Sequence, residues 1–282
     1  MKIAFVILHY ETINDTRNCI MSLKKYCNPD TFIVVVDNGS VNGKSDCLKA
    51  EFKPNPYIHF LKSEKNLGFA KGNNIGFKYA KDVLNAEIII LTNNDIVFSG
   101  NNFVDSLVSI YQSLKFDIAG PKIISLVDKK NQNPVHIIYP TKFSIFKRII
   151  KFAILYLLSF FNIDKNFQNQ FGSGIEEYKP FQDKEYQLHG ACLFFGPRYI
   201  DMFDGLYPKT FMYGEESILK YFSDKNEMKM IYIDQLSVYH KEGSSTNSVF
   251  TKGGSRRRFF YRWNIYSCFL LLYLNLRNKK VF

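Results

Sequence analysis

Residues 87–95 read Glu87-Ile88-Ile89-Ile90-Leu91-Thr92-Asn93-Asn94-Asp95, an apolar run that ends in two amides and a carboxylate. The run predicts a buried strand. In an open α/β sheet, a strand delivers its last residues to the edge where such folds bind nucleotides and metals. Because a carboxylate is a hard oxygen ligand, we expect a metal-assisted nucleotide enzyme with Asp95 at its site. The alternative is an ordinary strand followed by an Asn-rich turn.

Two earlier segments have the same design. Lys2–Leu8 leads into His9-Tyr10-Glu11, and Phe32–Val36 leads into Asp37-Asn38-Gly39-Ser40. Continuous β-branched runs of this length are typical of parallel strands covered on both faces. Between the two runs, Asn14–Cys27 has helical spacing of apolar residues, and Asn14 or Asp15 is the expected N-cap.

A second unit of strand and helix follows. Tyr57–Leu61 predicts a short strand, and Ala70–Leu84 predicts a helix that leads into the strand at residue 87. Strands that alternate with helices define an α/β domain, with a mostly parallel central sheet flanked by helices. We therefore assign the nucleotide-binding half to residues 1–100.

The composition fits one catalytic unit with additions. The chain has 282 residues, and 37 Lys and Arg against 26 Asp and Glu give a net charge of +11. The five cysteines form no CxxC pair or zinc spacing, and no signal-peptide pattern follows Met1, so we expect a cytoplasmic protein. An excess of basic residues is typical of proteins that bind phosphate, anionic lipid or nucleic acid.

Two segments combine basic and apolar residues. Phe143–Phe161 has a basic leading part and an apolar stretch of about ten residues, shorter than the ~20 that span a bilayer. Residues 256–282 have the same pattern, because Arg256-Arg257-Arg258 precedes a run of apolar residues. Both predict interfacial helices on an anionic membrane surface. A homodimer or core contact is the alternative, and we expect no nucleic-acid partner because no RNA-binding motif accompanies them.

A glycine- and amide-rich segment lies between the third and fourth predicted strands. Asn66-Leu67-Gly68-Phe69-Ala70-Lys71-Gly72-Asn73 leads into a helix whose free N–H groups could face a pyrophosphate. The segment is neither a Walker loop nor a GxGxxG fingerprint. Its glycines could instead serve only the turn, and Lys71 could be a solvated surface charge.

The second half contains three further signals. They are His189-Gly190-Ala191, the pair Glu215-Glu216 after Phe211-Met212-Tyr213, and His240 at the end of a strand predicted over Lys229–Tyr239. Adjacent acids at a helix start often only complement the helix dipole. Aromatic neighbours would, however, desolvate a carboxylate and raise its proton affinity, which suits a general base.

Taken in order, these motifs resemble the family 2 glycosyltransferases, inverting enzymes of GT-A fold, and their rhamnosyltransferase-like branch in particular. The resemblance runs to about Arg262 and is least informative over Ser125–Tyr186. It implies that Asp37 contacts the nucleotide base and ribose, flanked by His9, Tyr10 and Glu11. It implies that Asn66, Gly68, Lys71 and Asn73 line the nucleotide sugar. Asn93-Asn94-Asp95 would be the DxD-like motif, with Asp95 holding Mg²⁺ or Mn²⁺.

The same resemblance assigns the acceptor side. His189, Gly190 and Ala191 would form the floor of the sugar and acceptor site, and Glu215-Glu216 would match the Glu-Asp motif of the family. The second acid is the usual base, which favours Glu216, although a glutamate in place of aspartate leaves Glu215 as an alternative. His240 would complete the metal or diphosphate shell. Arg262-Trp263-Asn264 resembles an Arg-Asn ending near the acceptor.

The function implied is transfer of a sugar from dTDP-rhamnose or a UDP-hexose to a hydroxyl of a surface-glycan acceptor. We expect this acceptor to be linked to a polyprenyl diphosphate at the inner face of the membrane. We expect a catalytic domain over residues 1–255, with an acceptor-binding half at 101–255 that carries an insertion around 125–186. A basic amphipathic segment would occupy 256–282. The alternatives are a sugar-nucleotide pyrophosphorylase and a non-catalytic membrane-bound scaffold.

Overall fold

A mixed eight-stranded sheet forms the centre of the molecule, in strand order β3-β2-β1-β4-β9-β6-β10-β5. The computed structural model describes residues 1–41, 43, 45–136, 141–168, 186–242 and 253–282. Part of the predicted insertion around 125–186 therefore lies outside the described residues.

The strands are β1 Ile3–His9, β2 Thr31–Asp37, β3 Ile58–Lys62, β4 Ile88–Asn93, β5 Ile96–Phe98, β6 Ile118–Ser125, β7 Val135–His136, β8 Tyr186–Gln187, β9 Cys192–Phe195 and β10 Met230–His240. The helices are α1 Ile13–Lys24, α2 Ser45–Phe52, α3 Phe69–Asp82, α4 Phe103–Leu114, α5 Lys142–Leu158, α6 Lys165–Gln168, α7 Pro197–Met202, α8 Glu215–Lys225 and α9 Gly253–Arg277, with a 3₁₀ turn at Ser159–Phe161.

The first four strands of the sheet order run parallel, as the sequence predicts. β1 pairs in parallel with both β2 and β4, and β2 pairs in parallel with β3. The other half is mixed, because β9 runs antiparallel between β4 and β6, while β10 runs parallel to β6. The prediction of an α/β sheet flanked by helices is confirmed.

Alternate residues of each central strand enter two different apolar cores. In β1, Ile3, Phe5 and Ile7 pack on the side that contains α1, whereas Ala4 and Val6 pack on the side that contains α3. Both sets are fully buried. This burial on two faces explains why the strand sequences are continuously apolar rather than alternating.

The predicted start of α1 is wrong. The helix begins at Ile13 with Thr12 as its N-cap, and ends at Lys24 rather than Cys27. Asp15 does not cap the helix, because its buried carboxylate Oδ1 accepts a hydrogen bond of 2.6 Å from Nζ of Lys241. The Asp15 side chain, which the local sequence predicts as an N-cap, instead forms an ion pair with Lys241.

The two predicted interfacial segments form helices α5 and α9, which pack against each other. Phe152 and Leu155 of α5 and Tyr261 of α9 make a small buried cluster between them. α9 also enters the main core through Leu271 and Leu274. One face of each segment therefore makes the core contact that we gave as the alternative.

The opposite face of α5 is apolar and exposed. Five residues at spacings of three or four, each 44% to 65% exposed, form what we term the α5 apolar stripe: Phe143, Phe146, Ile150, Ile154 and Leu157. Among the described residues, no helix is long and apolar enough to span a membrane. Attachment of the stripe to a membrane surface stays a prediction.

Candidate active site

Three polar strand ends meet at one edge of the sheet. The register pairs His9 of β1 with Asp37 of β2, and Leu8 with Asn93 of β4. The sequence places polar residues after each of these strands, and the parallel arrangement brings them side by side. The predicted nucleotide-binding residues of the first hundred positions thus share one edge.

Asp37 is buried and organises the turn after β2. Its Oδ1 accepts the N–H of Ser40 at 2.9 Å, and its Oδ2 accepts the hydroxyl of Ser45. Glu11 has a φ of 60° and accepts the N–H of Val41 at 2.9 Å through Oε1. The Glu11 carboxylate therefore joins the turn after β1 to the turn after β2, and Asp37 fixes the turn after β2 internally.

His9 lies between these two acids. It is fully buried, its Nδ1 is 2.7 Å from the hydroxyl of Thr16, and its Nε2 has no partner among the described residues. Burial lowers the pKa of His9 below its usual value, although the charges of Asp37 and Glu11 oppose this. A neutral ring with one unpartnered nitrogen can bind a polar group of a ligand.

Asn38, which we did not single out from the sequence, ties β2 to the glycine-rich loop. Its Nδ2 donates to the Gly68 carbonyl at 3.1 Å and to Asn66 Oδ1 at 3.2 Å, and its Oδ1 accepts the N–H of Leu67 at 3.0 Å. Three contacts from one amide fix the loop beside the turn after β2. The sequence signal that could have identified Asn38 is its position directly after Asp37, the last residue of β2.

Gly68 sits where no side chain fits. Its φ is +84°, and a Cβ there would lie 2.3 Å from the carbonyl oxygen of Phe211. The next residue, Phe69, donates its N–H to that same oxygen at 2.7 Å. The start of α3 is therefore joined directly to the 211–214 loop, which precedes the acidic pair.

Two predicted site residues on the first turns of α3, Asn73 and Lys71, differ in their exposure to solvent. Asn73 is buried, donates to the Phe69 carbonyl, and keeps an Oδ1 that has no partner among the described residues. Lys71 is exposed and lines a cleft with Phe211 and Trp263. The loop thus offers one buried acceptor and one exposed cation.

Asp95 contacts His240 across the sheet edge. Its buried Oδ1 lies 3.3 Å from His240 Nε2 and accepts no hydrogen bond from the described residues. Nδ1 of His240 is 2.7 Å from Oε1 of Gln132. By contrast, Asn94 has a structural role, because its Nδ2 donates to the hydroxyls of Thr12 and Thr16.

These residues fit a divalent cation in part. In the described part of the chain, no three His, Cys, Asp or Glu side chains are arranged to hold a metal. Mg²⁺ is, however, commonly held by one or two carboxylates together with substrate phosphates and water. The buried Oδ1 of Asp95, which accepts no hydrogen bond from the described residues and lies beside His240, is consistent with a site completed by a bound diphosphate.

His189 lies next to this pair. Its ring centroid is 5.8 Å from that of His240, and the N–H of Ala191 donates to its Nδ1 at 3.1 Å. Burial, assisted by the charge of His240, lowers the pKa of His189 to about 4. The ring is therefore neutral with its proton on Nε2, which can donate a hydrogen bond.

Glu216 faces Gly190, the neighbour of His189. A Cβ at Gly190 would lie 2.5 Å from Oε1 of Glu216, and the Gly190 N–H donates to that carboxylate. Burial raises the pKa of Glu216, whereas this N–H and the charge of Arg148 lower it. A half-buried carboxylate with raised proton affinity suits a general base.

Glu215 is in a different environment from its neighbour. It is buried and receives a hydrogen bond from Thr210, and its Oε1 has no partner among the described residues. Burial and the charge of Glu216 raise the pKa of Glu215. Of the two acids, Glu216 is the more accessible to an acceptor.

Arg148 of α5 is a second site residue that the sequence analysis did not single out. One guanidinium nitrogen donates to Asn264 Oδ1 of α9 at 3.3 Å, and the group lies beside Gly214 and Ser217 at the start of α8. Because Arg148 is remote in sequence from the acidic pair, no local pattern pairs it with Glu216. Only the packing of α5 against α9 and α8 brings it there.

The polar sheet edge, the glycine-rich loop and the carboxylate at the start of α8 are the features that a nucleotide-sugar transferase of GT-A fold requires. The profile of the glycosyl transferase family 2 matches residues 4–173, and the chain belongs to this family. This membership favours a glycosyltransferase over the pyrophosphorylase and scaffold alternatives.

Known proteins agree with this class. The low-salt glycan biosynthesis hexosyltransferase Agl10 of Haloferax volcanii is 28% identical over 123 residues, which are 44% of this chain and 37% of that protein. TarS residues 1–349 of S. aureus, in complex with UDP-GlcNAc, align with a TM-score of 0.60 at 11% identity over 100% of this chain and 68% of that one. GalNAc-T7 with UDP, GalNAc and Mn²⁺ aligns with a TM-score of 0.58 at 13% identity, over 86% and 44%.

Proposed function

We propose that this glycosyltransferase moves a sugar with inversion from dTDP-rhamnose or a UDP-hexose to a hydroxyl of a surface-glycan acceptor carried on a polyprenyl diphosphate. The reaction would take place at the cytoplasmic face of the cell membrane. The hexosyltransferase relative in glycan biosynthesis supports the reaction class, and the UDP complexes of the structural neighbours support a nucleotide-sugar donor.

One observation carries the proposal. The two acids with opposite tasks lie on either side of the segment His189-Gly190: Gly190 contacts Glu216, while His189 contacts His240, which contacts Asp95. A base for the acceptor and a ligand for the donor diphosphate would thereby lie on the two sides of one short turn. This is the separation of roles that a single displacement needs.

In this mechanism Glu216 accepts the proton of the acceptor hydroxyl as that oxygen attacks the anomeric carbon. Burial raises the pKa of Glu216, and the Gly190 N–H and the Arg148 charge oppose that rise. His189 donates from Nε2 to an oxygen of the sugar or diphosphate. Asp37, Glu11 and the 66–73 loop bind and orient the nucleotide.

Mg²⁺ or Mn²⁺ would be held by Asp95 and His240, and it would neutralise charge that develops on the leaving nucleoside diphosphate. The support for this assignment is the buried Asp95 Oδ1, which accepts no hydrogen bond from the described residues. GalNAc-T7, of the same fold, was solved with Mn²⁺.

The experiment that tests donor binding is thermal unfolding with UDP, dTDP, GDP and CMP, each with and without Mn²⁺. A ligand at ~100 times its dissociation constant adds about 2.7 kcal/mol, which should raise the midpoint by roughly 5 °C or more. We expect one nucleotide to produce a shift that depends on Mn²⁺ and that is lost in Asp95→Asn. No shift with any nucleotide would contradict the donor site.

The choice of base is tested with paired variants. Glu216→Gln should keep the nucleotide-dependent thermal shift and lose sugar transfer, whereas Glu215→Gln should keep both. Transfer lost only in Glu215→Gln would assign the base to the first acid instead.

Membrane attachment is tested by sedimentation with anionic liposomes. Truncation near Ser255 would remove α9 residues that are buried in the core, so point variants are the sharper test. Ile150→Ser and Leu157→Ser on the α5 apolar stripe should reduce sedimentation several-fold. Met21→Ser, which changes a residue 55% exposed on α1, is the matched control. Equal sedimentation of all variants would contradict attachment through the stripe.

A further inference from the structure

A cleft of about 530 Å³ lies between the first turn of α3, the segment 209–211 and α9. The donor loop contributes Leu67 and Lys71, and α9 contributes Arg262, Trp263 and Tyr266. The cleft therefore adjoins the loop that is predicted to bind the donor. We call it the basic cleft.

Three cations surround the basic cleft. Lys71, Lys209 and Arg262 are exposed and come from three separate elements of the chain. In the part of the chain that the structure describes, no ion pair joins any of them to a carboxylate, and no acidic residue lines the cleft. Uncompensated positive charge from three directions favours an anion that carries more than one charge.

One wall of the basic cleft is aromatic. The indole of Trp263 stacks on the ring of Phe211, with centroids 4.6 Å apart and planes at 24°. The Arg262 guanidinium lies 5.5 Å from the centre of the Trp263 ring. The stack with Phe211 orients the Trp263 ring, and the face of that ring attracts the Arg262 guanidinium.

An apolar surface leads away from the cleft along α9. It consists of residues at spacings of three or four, 42% to 64% exposed, which we call the α9 apolar face: Tyr266, Phe269, Tyr273 and Leu276. Tyr266 and Phe269 belong to both the cleft and this face. A cationic pocket thus continues without interruption into a strip of exposed apolar side chains.

We propose that the basic cleft binds the diphosphate head of a lipid-linked molecule, whose hydrocarbon chain lies along the α9 apolar face. This inference rests on the proposed transferase function, in which that lipid carries the acceptor glycan. Lysine and arginine side chains bind phosphate oxygens, and a hydrocarbon chain would cover apolar surface that otherwise faces water. A free phosphate would use the cations only.

Trp263 provides a direct test, because it is the one tryptophan of the chain. Its fluorescence would be titrated with farnesyl diphosphate, a soluble diphosphate with an apolar chain, and separately with inorganic pyrophosphate and with farnesol. We expect a saturable change with farnesyl diphosphate at concentrations at least about tenfold lower than with pyrophosphate, a ratio that corresponds to about 1.4 kcal/mol. Farnesol should produce no saturable change.

Variants separate the head from the tail. Lys209→Gln should weaken binding of both diphosphates about tenfold, whereas Phe269→Ser should weaken only farnesyl diphosphate. Lys49→Gln, an exposed lysine on α2, is the matched control and should leave both unchanged. Equal affinity for pyrophosphate and farnesyl diphosphate would overturn the lipid assignment. No saturable change with either, or no effect of Lys209→Gln, would overturn the site.

The thermal shift with nucleotide and Mn²⁺ distinguishes this failure from failure of the proposed function. If that shift is present and the fluorescence titration is flat, the donor site stands and the basic cleft has another purpose. If neither the thermal shift nor the fluorescence change is observed, the proposed transferase function is contradicted, and the proposal for the basic cleft falls with it.

Discussion

The contact between Gly190 and Glu216 makes Gly190→Ala a test of the proposed base. A Cβ at position 190 would lie 2.5 Å from Oε1 of Glu216, whereas an ordinary contact begins at 3.4 Å. The carboxylate must therefore move by about 1 Å. A displacement of this size at a reacting group costs about 100-fold in rate, which corresponds to about 2.7 kcal/mol in the barrier.

The fold should tolerate this change. The atom that must move is the end of a flexible side chain, and position 190 needs no positive φ, so we expect a loss of stability of about 1 kcal/mol or less. The assay is steady-state release of nucleoside diphosphate from the donor found in the nucleotide panel. kcat should fall about 100-fold while the nucleotide-dependent thermal shift persists.

Two further variants sharpen the result. In Gly190→Ala with Glu216→Asp, the shorter side chain makes room for the methyl group, so kcat should exceed that of Gly190→Ala alone. In Gly254→Ala the new Cβ would meet Arg258 at 3.4 Å and Asn162 at 3.8 Å, which are ordinary contacts, so this control should match the wild type. A kcat of Gly190→Ala within threefold of wild type, with stability unchanged, would refute the role of Glu216.

Three other predictions follow from the packing. Arg148→Gln removes a charge that lowers the pKa of Glu216, so the acid limb of the pH profile of kcat should move to higher pH; an unmoved limb would separate Arg148 from the base. Gly68→Ala places a Cβ at a φ of +84° and 2.3 Å from a carbonyl oxygen, so the free energy of unfolding should fall by about 2 kcal/mol or more. The melting midpoint should fall by about 4 °C or more, and a smaller shift would show that the loop relaxes. Burial raises the pKa of the Asp164 carboxylate, but the hydrogen bonds from Arg257 and Tyr261 outweigh burial and lower that pKa. The ionised carboxylate therefore stabilises the fold above about pH 4, and this stabilisation is lost as the pH falls further. Asp164→Asn should therefore be less stable at pH 7 and lose less stability between pH 5 and 3, as measured by urea midpoints; parallel losses would contradict the linkage.

The sequence predicted the parallel half of the sheet closely. β1, β2 and β4 were expected within one or two residues of their observed ends, because each is a continuous apolar run buried on both faces. The predicted helix at 70–84 is observed as α3 at 69–82. Patterns that arise from burial of consecutive residues are visible without knowing which elements lie next to each other.

The antiparallel half and the helical layer could not be predicted in this way. β9 has only four residues, and nothing local shows that it inserts between β4 and β6. That insertion is what brings His189 next to His240. In α5 the amphipathic pattern indicates a buried face, but α9, its partner, lies about a hundred residues further along the chain.

The 211–214 loop has one further consequence. Its carbonyl at Phe211 receives the N–H of Phe69 at the start of α3, and a few residues later the same loop begins the helix that carries Glu216. In the proposed function, donor binding and acceptor binding would therefore both depend on this short stretch of backbone. Engineering that alters this loop to admit a new acceptor should change donor affinity as well, so the two specificities would have to be selected together rather than one after the other.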